Sequence, residues 1–234
     1  MELEPFVFEQ EGVLIGMRSA PVENETEPEP IVAEVNRYAL RPLGQDEFVV
    51  FTMDLCHNNV DRHFSRFPVE ELEAINDMVP GRPLMERHDL RGSLPRGTFF
   101  RSELWHDGDH VSVRPDVYVL RTDQNRGFIL NIEGGVYRET SMGFSFRLPE
   151  CSICHRDLRA CSHVPGRTYG DQQCHYIMRG VLEVIEGSVV PSGSQGTSFV
   201  SERRARPLDA ALEDARQAYH RPIELGGARL WAAE

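Results

Sequence analysis

The chain has 234 residues, with 37 acidic against 25 basic side chains and a formal net charge of −12 at pH 7. This acidic balance argues against a protein that coats nucleic acid, because such binding depends on neutralising phosphates with a basic surface. No apolar run approaches the ~20 residues of a membrane-spanning helix. Residues 1–4 are acidic and do not start a secretory signal, which predicts a cytoplasmic protein with no membrane or direct nucleic-acid partner.

The first predicted unit is an N-terminal segment, residues 1–46. It contains two short apolar runs, at 6–8 and 13–17, which predict strands. An acidic, proline-rich stretch at 21–30 follows and predicts an exposed linker.

The second predicted unit is the main domain, residues 47–200, which begins with a buried strand at 47–53. A helix is predicted over 68–79, because Pro68 stands at a first helical position and apolar residues follow at helical spacing. The later predicted elements are a hairpin of strands 97–105 and 111–120, a helix over 122–134, a strand over 137–147, and one or two strands over 176–190 broken near Gly187. The last unit, 201–234, is charged and alanine-rich, which predicts a helical tail.

The sharpest chemical signal is a group of cysteines and a histidine. Cys151 and Cys154 form a C-x2-C pair, and Cys161 and His163 form a C-x-H pair soon after. A two-residue gap lets two thiolates face one ion, and the second pair can complete a tetrahedral site. Thiolates with one imidazole favour zinc. Four protein ligands leave no open position, so we predict a structural zinc site in a small knuckle insert, residues 148–175.

The sequence leaves other interpretations of this segment open. Cys174 could replace His163 as the fourth ligand, and His155 is a further competitor. The cysteines could also be reduced thiols in a loop, or a redox pair, although no βαβ unit precedes them. Cys56 stands apart and is expected to be a small packing residue rather than a nucleophile.

Ser141 and His88 are the candidate nucleophile and general base. Ser141 lies in a strand-like stretch after a helix and two glycines, and His88 lies just before a glycine-containing turn. A serine hydroxyl becomes reactive when a histidine accepts its proton, and a third group must hold that histidine in the right tautomer. Chain order does not restrict such a triad, since unrelated folds use different orders.

Three short motifs, in their order and spacing, resemble a known family. They are His88-Asp89, Ser141-x-Gly143-Phe144 and Glu186-x-Ser188-Val189-Val190. Together with the helix over 68–79, they are similar to the prohead maturation proteases of tailed bacteriophages, which share a clan with the herpesvirus assemblins. The resemblance covers residues 45–200, and some phage members have a similar cysteine–histidine insert.

The resemblance implies a fold of the α+β class, a closed assemblin-like β-barrel flanked by helices, with the knuckle as an insert. It implies a serine endopeptidase that acts in the host cytoplasm, inside the immature phage prohead. Its substrates would be segments of the phage scaffold and of the major capsid protein. Whether the chain forms a homodimer, as assemblins do, stays open.

The same resemblance gives Ser141 the role of nucleophile and His88 that of general base. The assemblins have a second histidine as the third member, but no histidine follows Tyr176 in the late strand, so this chain needs a carboxylate. We predict that Glu186 is this carboxylate. The alternatives are Asp89, Asp116 and Glu183. Main-chain N–H groups near Ser141 or in the turn at 191–193 are equal candidates for the oxyanion donor.

Two other functions are compatible with these features. One is a non-catalytic phage capsid-assembly or scaffold-associated protein that keeps the structural zinc site. The other is a zinc-knuckle nucleic-acid adaptor, which Arg156, Arg159 and Arg167 of the insert favour and the acidic balance of the chain opposes. The presence of a nucleophile and a base in the order of the family favours the protease.

Overall fold

The computed structural model describes residues 28–200 and two short strands beyond them. Within these residues there are three α-helices, α1 (Pro28–Val35), α2 (Val69–Met78) and α3 (Asp123–Glu133). The same residues form the strands β1 (Phe48–Thr52), β2 (Cys56–His57), β3 (Ser65–Arg66), β4 (Pro83–Glu86), β5 (Gly97–Asp107), β6 (His110–Leu120), β7 (Glu139–Cys151), β8 (Thr168–Tyr169), β9 (Gln172–Gln173), β10 (Tyr176–Val190), β11 (Ile223–Leu225) and β12 (Ala228–Leu230).

Eight of these strands form one open sheet. Its order is β1-β6-β5-β4-β10-β3, with β2 beside β6 and β7 beside β10. The short strands β3 and β4 run parallel to β10, whereas β7 is antiparallel to β10 from one end of β10 to the other. The long strand β10 therefore has partners along both of its edges.

The predicted fold class, an α+β protein with a closed barrel flanked by helices, is wrong. The described secondary structure is mostly strand, and the sheet does not close on itself. A barrel requires its first and last strands to pair. In the described part of the chain, β1 pairs only with β6 and β7 only with β10. Three single bridges lie outside these ladders, from Met53 to Phe199, from Glu139 to Ser198 and from Glu150 to Asp157.

The core lies against the middle of the sheet. Leu72 and Ile75 of α2 are fully buried in it, together with Phe99 of β5. Burying such a side chain contributes about 2–3 kcal/mol each. Gly187 does not break β10: a Cβ at this position would come within 2.6 Å of the Phe99 ring, so the glycine lets the ring pack directly on the strand.

Several predicted elements of the main domain are confirmed. The helix predicted over 68–79 is α2, and the predicted hairpin is the β5–β6 pair. The helix predicted over 122–134 is α3, and the Thr122 side chain caps it by accepting a hydrogen bond from the Asn125 N–H. Where the sequence allowed one or two strands over 176–190, the structure has the single strand β10, with two bulges.

The two ends of the chain differ from the prediction where they are described. Helix α1 begins at Pro28, inside the predicted linker, and Val35 at its end is fully buried beside Phe48, Phe100 and Tyr118. Strands β11 and β12 pair as a hairpin within the tail predicted to be helical. The strands predicted at 6–8 and 13–17 and the helix predicted from 201 to 221 lie outside the described residues. In the described ranges, no helix is long and apolar enough to cross a lipid bilayer.

Candidate functional site

The predicted catalytic residues come from three neighbouring strands. Glu186 lies in β10, Ser141 in β7, and His88 follows the end of β4 by two residues. The pairing sets Ser188 of β10 opposite Ser141 on one side and beside Met85 of β4 on the other. Because β4 is parallel to β10, the chain leaves β4 close to the end of β10 that carries Glu186.

His88 and Glu186 form the central contact of this site. Nδ1 of His88 lies 2.5 Å from Oε1 of Glu186, and the Glu186 side chain is only 2% exposed while that of His88 is 39% exposed. The hydrogen bond that the His88 ring donates to this carboxylate is the main cause that raises the pKa of His88, against the opposing effect of burial. The contact assigns the proton to Nδ1, which leaves Nε2 as the acceptor of the neutral ring.

The backbone around His88 has an unusual conformation. Arg87 and His88 have φ values of 59° and 55°, in the left-handed region that non-glycine residues rarely adopt. Two hydrogen bonds to acceptors on β10 hold them there. The Arg87 N–H donates to the Val189 carbonyl at 2.9 Å, and the His88 N–H donates to Oγ of Ser188 at 3.1 Å. Such strain costs of order 1–3 kcal/mol and is common at functional sites.

Ser141 shares a sheet face with the carboxylate. Residues directly opposite in an antiparallel pair project to the same side, and the register sets Ser141 opposite Ser188 and Gly143 opposite Glu186. No hydrogen bond joins the Ser141 hydroxyl to the His88 ring within the described structure. Catalytic hydrogen bonds are often long before substrate binds. This geometry therefore neither confirms nor excludes Ser141 and His88 as nucleophile and base.

Ser141 also lines a cavity of about 210 Å³ on the main domain. Its walls include the side chains of Phe67, Phe144 and Phe146, with ring centroids 5.0 Å apart for Phe67 and Phe144 and 5.8 Å for Phe144 and Phe146. His88 does not line this cavity. Phe144 and Phe146 lie three and five residues from Ser141 along β7, so their rings project to the opposite face of the sheet from the Ser141 side chain.

The other carboxylates considered for the third position are engaged elsewhere. Asp89 accepts hydrogen bonds from main-chain N–H groups of its own loop. Asp116 binds Arg101, with 2.6 Å between Oδ2 and Nε, and Glu183 pairs with Arg82 at 3.3 Å. Among the four candidates, Glu186 is the one in contact with His88.

One main-chain N–H of the turn at 191–193, a candidate oxyanion donor, is already engaged in another hydrogen bond. The Gly193 N–H donates to Oε2 of Glu139 at 2.7 Å. A donor already bound to a carboxylate is not free to stabilise a developing negative charge.

The Cys/His cluster connects the end of β7 to the start of β10. One ligand atom from each of Cys151, Cys154, Cys161 and His163 lies within 4.8 Å of the other three. The four residues predicted from their spacing are therefore brought together, and the group could hold a metal ion.

The local hydrogen bonds of this cluster suit a metal ion. The Ile153 N–H donates to Sγ of Cys151 at 3.4 Å. A hydrogen bond from the Arg156 main chain is the largest cause that lowers the pKa of Cys154 to about 6, which favours the thiolate that binds metal. Nδ1 of His163 is buried without a hydrogen-bond partner in the described residues. Such an unpaired buried nitrogen costs about 1–3 kcal/mol, a cost that ligation would remove.

The competing ligands lie at the edge of the cluster. Sγ of Cys174 is 4.0 Å from Sγ of Cys151, but Cys174 is not among the residues whose ligand atoms all lie within 4.8 Å of one another. The His155 ring instead contacts Glu150, with 3.0 Å between Nδ1 and Oε1. These contacts favour His163 as the fourth ligand.

Comparison with models of protein families, with characterised proteins and with solved structures found no match for this chain.

Two residues of the site have a role that the sequence did not reveal. Ser188 bonds to both the His88 main chain and the Glu186 carboxylate, and Gly143 leaves the space that the carboxylate occupies. Both lie in the motifs that carry the resemblance, two residues from Glu186 and from Ser141. That two-residue spacing, which puts neighbours on one strand face, was the available signal.

Proposed function

We propose that this chain is a serine endopeptidase of the phage prohead maturation type. The observation that carries the proposal is the 2.5 Å contact between Nδ1 of His88 and the buried Glu186 carboxylate, on the sheet face that Ser141 also occupies. A buried carboxylate that holds one ring nitrogen of a half-exposed histidine is the arrangement that orients a general base.

In the proposed reaction, Nε2 of His88 accepts the proton of the Ser141 hydroxyl as the oxygen attacks the scissile carbonyl. Glu186 keeps the other ring nitrogen protonated and stabilises the imidazolium that forms. His88 then donates the proton to the leaving amine, and water hydrolyses the acyl-enzyme by the same route.

The proposed substrates are segments of the phage scaffold and of the major capsid protein, cut inside the immature prohead in the host cytoplasm. The resemblance of the three motifs supports this choice. The formal charge of −12 also favours protein substrates over nucleic acid.

We further propose that the Cys/His cluster holds a structural zinc ion. Three thiolates and one imidazole are the donor set of many structural zinc sites, and four protein ligands leave no position for a reacting water. The ion would fix the insert between β7 and β10, which has little buried apolar surface of its own.

The proteolytic function can be tested by producing the chain with its own phage's scaffold and capsid proteins. We expect defined fragments from the wild-type chain and a loss of at least about 1,000-fold in cleavage rate with Ser141→Ala, because removing the nucleophile removes covalent catalysis. Ser145→Ala, on the same strand, is the matched control and should cleave at the wild-type rate. Unchanged cleavage by Ser141→Ala would rule out this nucleophile.

A second candidate function is a non-catalytic capsid-assembly or scaffold-associated protein. It is favoured by the lack of a hydrogen bond between Ser141 and His88 in the described structure. In the experiment above, it predicts that the wild-type chain binds scaffold without fragmenting it and that Ser141→Ala binds equally well.

A further inference from the structure

The hydroxyl of Ser188 links the two groups of the predicted base. Ser188 is fully buried in β10. Its Oγ accepts a hydrogen bond from the His88 N–H at 3.1 Å and donates one to Oε2 of Glu186 at 2.5 Å. One side chain therefore contacts both the main chain of the histidine and the carboxylate that holds the histidine ring.

These two contacts complete the surroundings of Glu186. Its Oε1 contacts the His88 ring and its Oε2 contacts Ser188, so each oxygen of a carboxylate that is only 2% exposed has a partner. A buried carboxylate oxygen without a hydrogen-bond partner is unfavourable, so without Ser188 the carboxylate would turn toward another donor. Turning would break the alignment with Nδ1 of His88.

Gly143 provides the space for this carboxylate. Gly143 stands opposite Glu186 in the β7–β10 pair, and a Cβ there would collide with Oε1 of Glu186. The glycine of β7 and the serine of β10 thus form one cradle around the Glu186 side chain.

We infer that Ser188 is a positioning residue for the His88–Glu186 pair: its hydroxyl fixes the carboxylate orientation and holds the left-handed main chain of His88. Ser188 acts through these two residues, since a fully buried side chain cannot touch a substrate. The consequence for catalysis rests on the proposed protease function, whereas the consequence for the geometry does not.

The kinetic test compares Ser188→Ala with Ser112→Ala in the full-length chain. Ser112 is the matched control because it is also a fully buried serine whose Oγ donates to a carboxylate, Asp54, at 2.9 Å. In metal sites, hydrogen-bond partners that orient the ligands typically contribute about 10- to 100-fold, and Ser188 stands in the same relation to His88 and Glu186. We therefore expect Ser188→Ala to lower kcat by about 10- to 100-fold with KM within about twofold, and Ser188→Thr to recover part of kcat. Equal kcat in Ser188→Ala and Ser112→Ala would overturn the inference.

A second readout does not require proteolysis. In the wild-type protein, NMR should detect a far-downfield proton on Nδ1 of His88 and slow exchange of the His88 amide. We expect Ser188→Ala to lose both signals and Ser112→Ala to keep them. Retention of both signals in Ser188→Ala, or their absence from the folded wild-type protein, would refute the positioning role, whatever happens to the protease proposal.

Discussion

The different exposures of the two side chains explain how the His88–Glu186 pair can act in general-base catalysis. Glu186 is almost fully buried, so its charge needs a close partner, while His88 is exposed enough to exchange its proton with solvent. The contact raises the pKa of His88. The ring is therefore protonated up to a higher pH than a free histidine, and catalysis by the neutral base should increase as the pH rises through that raised value.

The same shift predicts a pH-dependent contribution to stability. Because the pKa of His88 is higher in the folded state than in the unfolded state, its protonation stabilises the fold most below the unfolded value of about 6.5. This contribution is lost as the pH rises through the folded value. Urea unfolding between pH 5.5 and 9 should therefore show a stability gap between wild type and Glu186→Gln that narrows toward high pH. A difference in the free energy of unfolding that stays constant with pH would mean that the contact with Glu186 does not raise the pKa of His88.

At the scale of elements, β7 and β10 serve both candidate sites. One end of this strand pair carries Ser141 and Glu186, and the other end carries Cys151, opposite Tyr176. The knuckle insert connects the two strands at that second end. Its short strands β8 and β9 are mostly exposed, so the Cys/His cluster is the main feature that can hold the insert together.

The cluster predicts different effects for two cysteine substitutions. Cys154→Ser removes a ligand and should lower the metal content of the purified protein well below one ion per chain, together with its melting temperature. Cys174→Ser should keep the metal, since His163 and not Cys174 lies within the four-residue cluster. Metal analysis with thermal unfolding measures both quantities. Full occupancy in Cys154→Ser, or loss of metal in Cys174→Ser, would require a different ligand set.

At the scale of the whole molecule, α1 and the residues after it belong to the body of the protein. Val35 and Leu43 are buried in a small apolar cluster with Phe48 of β1, Phe100 of β5 and Tyr118 of β6. The sequence assigned residues 1–46 to a separate segment. Because the cluster joins this segment to three strands, residues 35–43 should unfold together with the sheet.

Substitution of Val35 tests this organisation. Val35→Ala should lower the free energy of unfolding by about 2 kcal/mol, the value of one fully buried valine, and the chain should still unfold in a single transition. Val136→Ala is the control, because Val136 is 70% exposed and should change the free energy by less than about 0.5 kcal/mol. An effect of Val35→Ala as small as that of the control would indicate that α1 is not part of the folded unit.

Local sequence signals predicted the features that depend on neighbours in the chain. The positions of α2 and α3 and the β5–β6 hairpin follow from side-chain spacing and turn residues. The four residues of the Cys/His cluster followed from their spacing as well, because thirteen consecutive residues contain all of them. Within such a short span, the chain itself keeps the ligands close.

Only the tertiary structure decided the features that depend on contacts between distant strands. Whether the sheet closes is set by which edges pair, and no local pattern states that β1 and β7 remain apart. The choice of Glu186 over Glu183 is similar: the register sets both carboxylates on one face, opposite Gly143 and Ser145, and only Glu186 lies at the point along β10 that His88 reaches. The sequence by itself determined the candidate chemical groups, and the fold decided which of them meet.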